Sequence, residues 1–336
     1  MKSFVRTFFS AVSIAALGLT ASSALAQGAG EIVVYNAQHE TLAKSWAEAF
    51  TADTGIKVVL RNGGDTQLGN QLVQEGAASS ADVFLTENSP AMVLVDNAKL
   101  FAPVEPATLD LVPEEYRPSH GRWIGIAARS TVFVYDKRKL DQAKLPASIM
   151  DLADASWKGR WAASPSGADF QAIVSAILEI KGPAATQAWL TAMKQNSVVL
   201  RGNVAAMKAV NAGEVEGAVI YHYYWFGDQA KTGENSGNVG VHYFRNKDAG
   251  AFVSISGGGV LASSKNQPQA QAFLKWIVTK GQNILRTGNS YEYAVAKGAA
   301  SNDRLPPLVD LQAPKIDPAK LNSRAVSDMM TAAGLL

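Results

Sequence analysis

The chain has 336 residues, 47% of them hydrophobic, with 31 Lys and Arg against 29 Asp and Glu and no cysteine. That near-neutral balance argues against a nucleic-acid or membrane-surface partner held by charge. The absence of cysteine excludes disulfides, thiolate metal sites and iron–sulfur clusters, and a chain of this size buries enough core to need no staples.

Residues Met1 to Ala26 read as a secretory signal. Lys2 and Arg6 supply a positive start, an apolar stretch runs from about Phe8 to Leu19, and Ala24-Leu25-Ala26 gives a small-x-small cleavage pattern before Gln27. The apolar stretch is too short, and too broken by Ser and Thr, for a membrane span. The expected mature protein is exported, soluble, formally neutral and of a size for two domains.

Glu31–Asn36 predicts a first strand ending in the polar loop Ala37-Gln38-His39-Glu40. Leu42, Trp46 and Phe50, at a spacing of four, predict an amphipathic helix, and Ile56–Leu60 the next strand. This is a βαβ opening. Asn62-Gly63-Gly64-Asp65 is a turn before a helix carrying Leu68, Leu72 and Val73, and Ala81–Leu85 is a third strand with Glu87 just past its end. His39 and Glu87 thus fall at carboxyl ends of neighbouring strands, where open α/β sheets hold ligands.

Trp123–Ile126 leads into the alternating strand Arg129–Asp136, where a first domain crossing is expected. Ser148 to Trp161 reads as a helix followed by a Lys158-Gly159 turn. Ser166-Gly167-Ala168 opens a helix from about Asp169 to Ile180, either as an anion nest on free amides or as an ordinary capped start. Further helices are expected over Ala184–Lys194 and Ala206–Ala212, with Asn203 in the turn before the latter. Val239–Phe244 and Ala251–Ser256 are strand-like, and Gly257-Gly258-Gly259 reads as a bend where backbones come close. It fits no dinucleotide or phosphate-loop pattern. Pro268–Thr279 is a helix with its proline in the first turn, and a proline-rich tail closes with a helix.

One stretch organises the rest. Gly217–Ile220 is a short apolar strand, and Tyr221-His222-Tyr223-Tyr224-Trp225-Phe226 follows it. Along a strand, adjacent tyrosines would point to opposite faces. For Tyr223 and Tyr224 to act together the backbone must leave strand geometry there. Two phenols side by side suit a hard, highly charged cation, because a phenolate is a hard oxygen donor and such a cation can deprotonate it at neutral pH. Ferric iron does this best. Core packing, or a wall for an organic ligand, fits the same six residues.

Tyr35–His39, Asp82–Glu87, Arg129-Ser130-x-Val132-x-Val134-Tyr135-Asp136, Trp157-Lys158-Gly159 and Tyr223-Tyr224-Trp225 occur in this order. Together they resemble the periplasmic ferric-ion-binding proteins of bacterial ABC importers, the bacterial transferrins, over nearly the whole mature chain. The resemblance implies a type II-like periplasmic binding protein fold: two α/β lobes, each a mixed sheet flanked by helices, joined by crossing hinge strands. The implied lobes are 27–128 with 254–304, and 129–253 with 305–336. It implies ferric-ion ligands at His39, Glu87, Tyr223 and Tyr224. Two phenolates and one carboxylate offset three positive charges, and two octahedral positions stay open. It implies a synergistic anion, phosphate or a carboxylate such as carbonate, on Ser166, Gly167, Ala168 and Asn203, with Arg129 nearby. Some relatives place a third tyrosine near Gly167. This chain has none there, which favours the anion-using subtype. The implied protein is a periplasmic monomer that catalyses no reaction and hands iron to an inner-membrane permease. Asn88 and Tyr221-His222 depart from the residues relatives often carry, which leaves the anion open.

Two other readings stand beside this one. A binding protein of the same fold for an organic phosphate or phosphonate would use the aromatics as a pocket wall. A secreted metal-dependent hydrolase would need a general base and an open water site, and four histidines without a His-Glu-x-x-His pattern argue against it.

Overall fold

The computed structural model describes Met1 and residues 30–336; the signal-peptide reading falls outside the described residues. The first half runs β1 (Glu31–Ala37), α1 (Glu40–Thr54), β2 (Lys57–Asn62), α2 (Asp65–Glu75), β3 (Val83–Thr86), α3 (Ser89–Asn97) and the single turn α4 (Pro106–Leu109). Next come β4 (Ile124–Asp136), β5 (Trp161–Ala163), α5 (Ala168–Asn196), β6 (Ser197–Val199), α6 (Asn203–Ala212), β7 (Gly217–Tyr221), α7 (His222–Lys231) and β8 (Val239–His242). The chain ends with β9 (Val253–Val260), α8 (Gln267–Ile277), α9 (Gln282–Thr287) and α10 (Ser323–Ala332).

The strands form one continuous order, β2-β1-β3-β9-β4-β7-β5-β6, with β8 also on β4. β1 pairs in parallel with β2 and β3, as a βαβ opening requires. β4 is the long element. Its first half, from Ile124 to Ser130, lies antiparallel to β9, and from Thr131 onward it lies between β7 and β8. Arg129, near which a domain crossing is expected from the sequence, lies within this strand. β9 brings the chain back, with Phe252 accepting from the Thr131 amide at its entry.

Three sequence readings are corrected. Ser148–Trp161 is no helix: it forms two 3-10 turns, Ile149–Ala153 and Ala155–Trp157, and Trp161 opens β5. Ser148 and Asp154 each N-cap one of the two turns, Asp154 with an extended backbone that separates them, and buried Trp189 donates its indole N–H to Ile149 O at 3.0 Å. Asn203 is the first residue of α6 rather than part of a turn before it. The Gly257–Gly259 run is no bend either. It lies inside β9, where side chains rather than backbones come close: a Cβ on Gly257 would stand 2.2 Å from Met92 Cγ, and one on Gly259 2.6 Å from Phe101 Cε1. The two helices expected over 169–194 are α5, broken at Gly182, which adopts φ 79° ahead of Pro183.

Close packing of this kind has a measurable consequence at Gly125, where the β4–β9 register shifts. A Cβ there would lie 2.2 Å from the Tyr116 carbonyl oxygen, a backbone atom that cannot rotate away. Gly125→Ala should destabilise by about 1–3 kcal/mol. Gly227, inside α7, has nothing within 4 Å of a built Cβ. Gly227→Ala should instead stabilise by about 0.5–1 kcal/mol. Urea midpoints of the two variants check both signs.

Candidate metal centre

Each proposed ligand sits where an element begins or ends. His39 occupies the position before α1, with φ −46° and ψ 124°, and its side chain does not cap the helix. Its imidazole is held from behind: Nδ1 lies 2.9 Å from Glu292 Oε1, and Nε2 lies 3.0 Å from Glu87 Oε1. A carboxylate on Nδ1 fixes the tautomer and leaves Nε2 for a cation, which is how metal-bound imidazoles are oriented. Glu87 follows β3. Its amide donates to Asp65 Oδ1 at 3.0 Å, and Asp65 Oδ2 takes the Asn88 amide at 3.0 Å, so the first residue of α2 sets the course of this loop.

Across the cleft, β7 ends at Tyr221 in extended geometry and α7 starts at His222. This is the departure from strand geometry that a working tyrosine pair demands. Tyr223 and Tyr224 become successive first-turn residues with ring centroids 4.3 Å apart. Both hydroxyls lie 3.1 Å from the same atom, Asp169 Oδ2. The His39 ring stands edge-on to Tyr223 at 4.9 Å, so the imidazole–carboxylate pair and the phenols face one another. His39, Tyr223 and Tyr224 line an open cleft of about 510 Å³.

The electrostatics favour a cation. Burial pushes both phenol pKa values up, and the Asp169 carboxylate adds to the rise. Burial also raises Glu87, against the opposing pull of His39 and Arg129. Asp65 is pushed up to about 8 by burial and by the charge of Glu87. Burial lowers His39, but its hydrogen bond to Glu292 and the charges of Glu292 and Glu87 bring the net shift upward. Burial alone would raise Glu292; Arg129, His39 and Gln38 outweigh it and hold the carboxyl at about 2. Among the described residues, no group of three His, Cys, Asp or Glu makes a metal site. The phenols are what turn this set into one that fits a hard cation.

The structure thus brings His39, Glu87, Tyr223 and Tyr224 together. Asn203 joins them indirectly, donating to Asp169 Oδ2 at 2.8 Å. Arg129 is fully buried behind the site, paired with Glu292 and 5.6 Å from the Tyr223 ring centroid. Ser166, Gly167 and Ala168 form the turn into α5. Ser166 is exposed, the Gly167 amide is taken by Ser164 O at 3.1 Å, and no hydrogen bond joins these three to the tyrosines. Sequence reasoning missed Glu292, Asp65 and Asp169. The one available signal was Asp169 directly after a Ser-Gly-Ala turn. Tyr221, whose role the sequence left open, is fully buried with its hydroxyl 3.2 Å from Asn88 Oδ1.

Residues 78–321 match the model of the bacterial extracellular solute-binding proteins. The chain is 71% identical over 306 residues to the Fe(3+)-binding periplasmic protein of Serratia marcescens, covering 91% of this chain and 90% of that one. It is 34% identical over 312 residues to the major ferric iron-binding protein of Neisseria meningitidis serogroup B, covering 92% and 94%. The crystal structure of iron-bound HitA from Pseudomonas aeruginosa superposes with a TM-score of 0.84 at 40% identity, covering 91% of this chain and 99% of that one.

Proposed function

Because the chain belongs to the bacterial extracellular solute-binding proteins, we propose that its cleft binds ferric iron as cargo in the periplasm and delivers it, as a monomer, to the permease of an ABC importer. No reaction is catalysed. One observation carries this reading: two neighbouring phenol oxygens share a focus and face an imidazole–carboxylate pair across the cleft. Two phenolates and the Glu87 carboxylate match the three positive charges, and neutral His39 adds a nitrogen donor. His39 and Glu87 come from the β1–β3 side, and both tyrosines from the β7 side. We assign these sides to lobes 27–128 with 254–304 and 129–253 with 305–336. Iron then favours closure, because only the closed form assembles all four ligands. Release follows from ligand protonation or from reduction to the less charged ferrous ion.

The organic-phosphate reading is weaker on this geometry. The polar donors that would grip a phosphate, Asn88 and Asn203, are engaged by Asp169, and a second anion there meets a carboxylate.

Titrating the metal-free protein with a ferric chelate tests the proposal. A visible phenolate-to-iron charge-transfer band should grow to one iron per chain; binding of phosphate esters without colour would sink it. His39→Ala and Glu87→Ala should each weaken binding while leaving the band position nearly unchanged, since neither side chain gives rise to it. Unaltered affinity in both variants would remove the β1–β3 side from the site.

A further inference from the structure

His222 opens α7 directly before the tyrosine pair, and its ring is fully buried. β7 runs antiparallel to β4 with Thr131 opposite Tyr221, so the next rung would set Ser130 opposite residue 222. The chain turns into α7 there, and its backbone leaves the ladder. A buried amide needs an acceptor, and the Ser130 N–H finds one in the ring: it donates to His222 Nδ1 at 3.1 Å. With Nδ1 accepting, the proton of the neutral ring sits on Nε2, which donates to the Tyr291 carbonyl at 2.8 Å. Neither nitrogen is free for the cleft.

Both partners matter for what adjoins them. Ser130 follows Arg129 in β4 and Tyr291 precedes Glu292, so one ring grips the backbone beside each member of the buried Arg129–Glu292 pair. Tyr291 has φ 54°, a left-handed state that a bulky side chain keeps only where its surroundings impose it. His222 holds its carbonyl, and Phe226 of α7 stacks on its ring with centroids 6.0 Å apart. On the other side of Glu292, the Tyr293 backbone exchanges hydrogen bonds of 2.8 and 3.0 Å with Ala128, and the Tyr293 ring stacks on His222 at 4.8 Å. Glu292 is thus strung between two fixed points, and from there its carboxylate meets His39 Nδ1 at 2.9 Å. Resting on the ferric reading above, we propose that His222 is a positioning residue for iron uptake: a neutral imidazole that ties the start of the tyrosine helix to Tyr291 and so aims Glu292 at His39. One side chain registers the helix that carries the phenols against the carboxylate that orients the imidazole. No change in its protonation is involved.

The test compares wild type with His222→Asn, His222→Gln and His222→Phe. Asn places its amide no further out than Nδ1, so it keeps an acceptor for Ser130 and cannot reach Tyr291. Gln carries its amide N–H as many bonds from Cβ as Nε2 and restores that donor. Phe keeps the stack on Tyr293 and removes both hydrogen bonds. Metal-free proteins with isotope-labelled histidine are read first, by proton–nitrogen NMR in alkaline buffer, the His39 signals being those absent from His39→Ala. Wild-type His39 should be protonated at Nδ1 alone. The two tautomers should mix in His222→Asn and His222→Phe, and the wild-type pattern should return in His222→Gln. Ferric affinity, by competition with nitrilotriacetate, should fall about 10–100-fold in His222→Asn and His222→Phe, the usual cost of losing an outer-shell partner, and recover in His222→Gln. The visible band should keep its position and its intensity per bound iron, because both phenolates remain. A wild-type tautomer and affinity in both His222→Asn and His222→Phe overturn the proposal. So does a band that shrinks along with the affinity, which would place the damage at the tyrosines. If His222→Phe does not fold, the contrast between His222→Asn and His222→Gln decides. Wild type without any band refutes the ferric reading instead, and the histidine spectra of the metal-free proteins then decide the tie on their own.

Discussion

Tyr223→Phe and Tyr224→Phe should each weaken ferric binding by more than about 10³-fold, beyond the 10–100-fold cost of losing an outer-shell partner. Each should also remove roughly half of the visible band, because each deletes one hard phenolate donor. Tyr221→Phe should change neither. That hydroxyl is 3.2 Å from Asn88 Oδ1 and 3.3 Å from the Asp169 carbonyl, so its loss loosens support without taking a ligand. The size of the effect follows from charge. Each phenol is buried, and its pKa is raised by desolvation and by Asp169, so both are protonated in the metal-free protein at neutral pH. A trivalent cation must displace both protons. Wild type should therefore release two phenol protons per iron bound at neutral pH, and each single variant one fewer, as read by pH-stat titration. Full colour and unchanged proton release in both single variants would remove the phenols from the site.

The tyrosine pair was legible because its chemistry is local. Adjacent phenols after a short apolar strand demand a strand-to-helix junction, and Tyr221 with α7 supplies one. The βαβ start was legible for the same reason: Leu42, Trp46 and Phe50 repeat at helical spacing and are all buried. The parts that escaped depend on long-range geometry. Asp169 reads as a helix-start acid from its neighbours, and nothing local shows its carboxylate turned towards residues 54 and 55 positions further on. Glu292 lies outside any regular element between Tyr291 and Tyr293, and its partner His39 is 253 positions away. The Gly257–Gly259 run defeated local reading because glycine marks bends and tightly packed strands alike. Only Met92, Leu274 and Phe101, from three other segments, reveal which applies.

Arg129→Met should destabilise the metal-free protein by about 3–5 kcal/mol, because it leaves the Glu292 carboxylate buried without its counter-charge. Both side chains are 0% exposed in the wild-type pair. The sign of the pH dependence follows. In wild type the Glu292 pKa is held at about 2, below its unfolded value, so the pair's contribution is present above about pH 4.5 and is lost as pH falls towards 2. Without Arg129 the order reverses: burial raises the folded pKa above the unfolded one, and the variant loses stability as pH rises through that range. The gap between the two proteins should therefore be widest at neutral pH and narrow sharply near pH 3, by urea denaturation. A double variant, Arg129→Met with Glu292→Leu, removes both charges and should recover most of the stability. It should not recover iron affinity, because His39 Nδ1 loses the carboxylate that orients it. Stability and binding separate in that one protein. A double variant as unstable as the single one would place the cost in lost packing around Arg129, and one with wild-type affinity would show that Glu292 does not position His39.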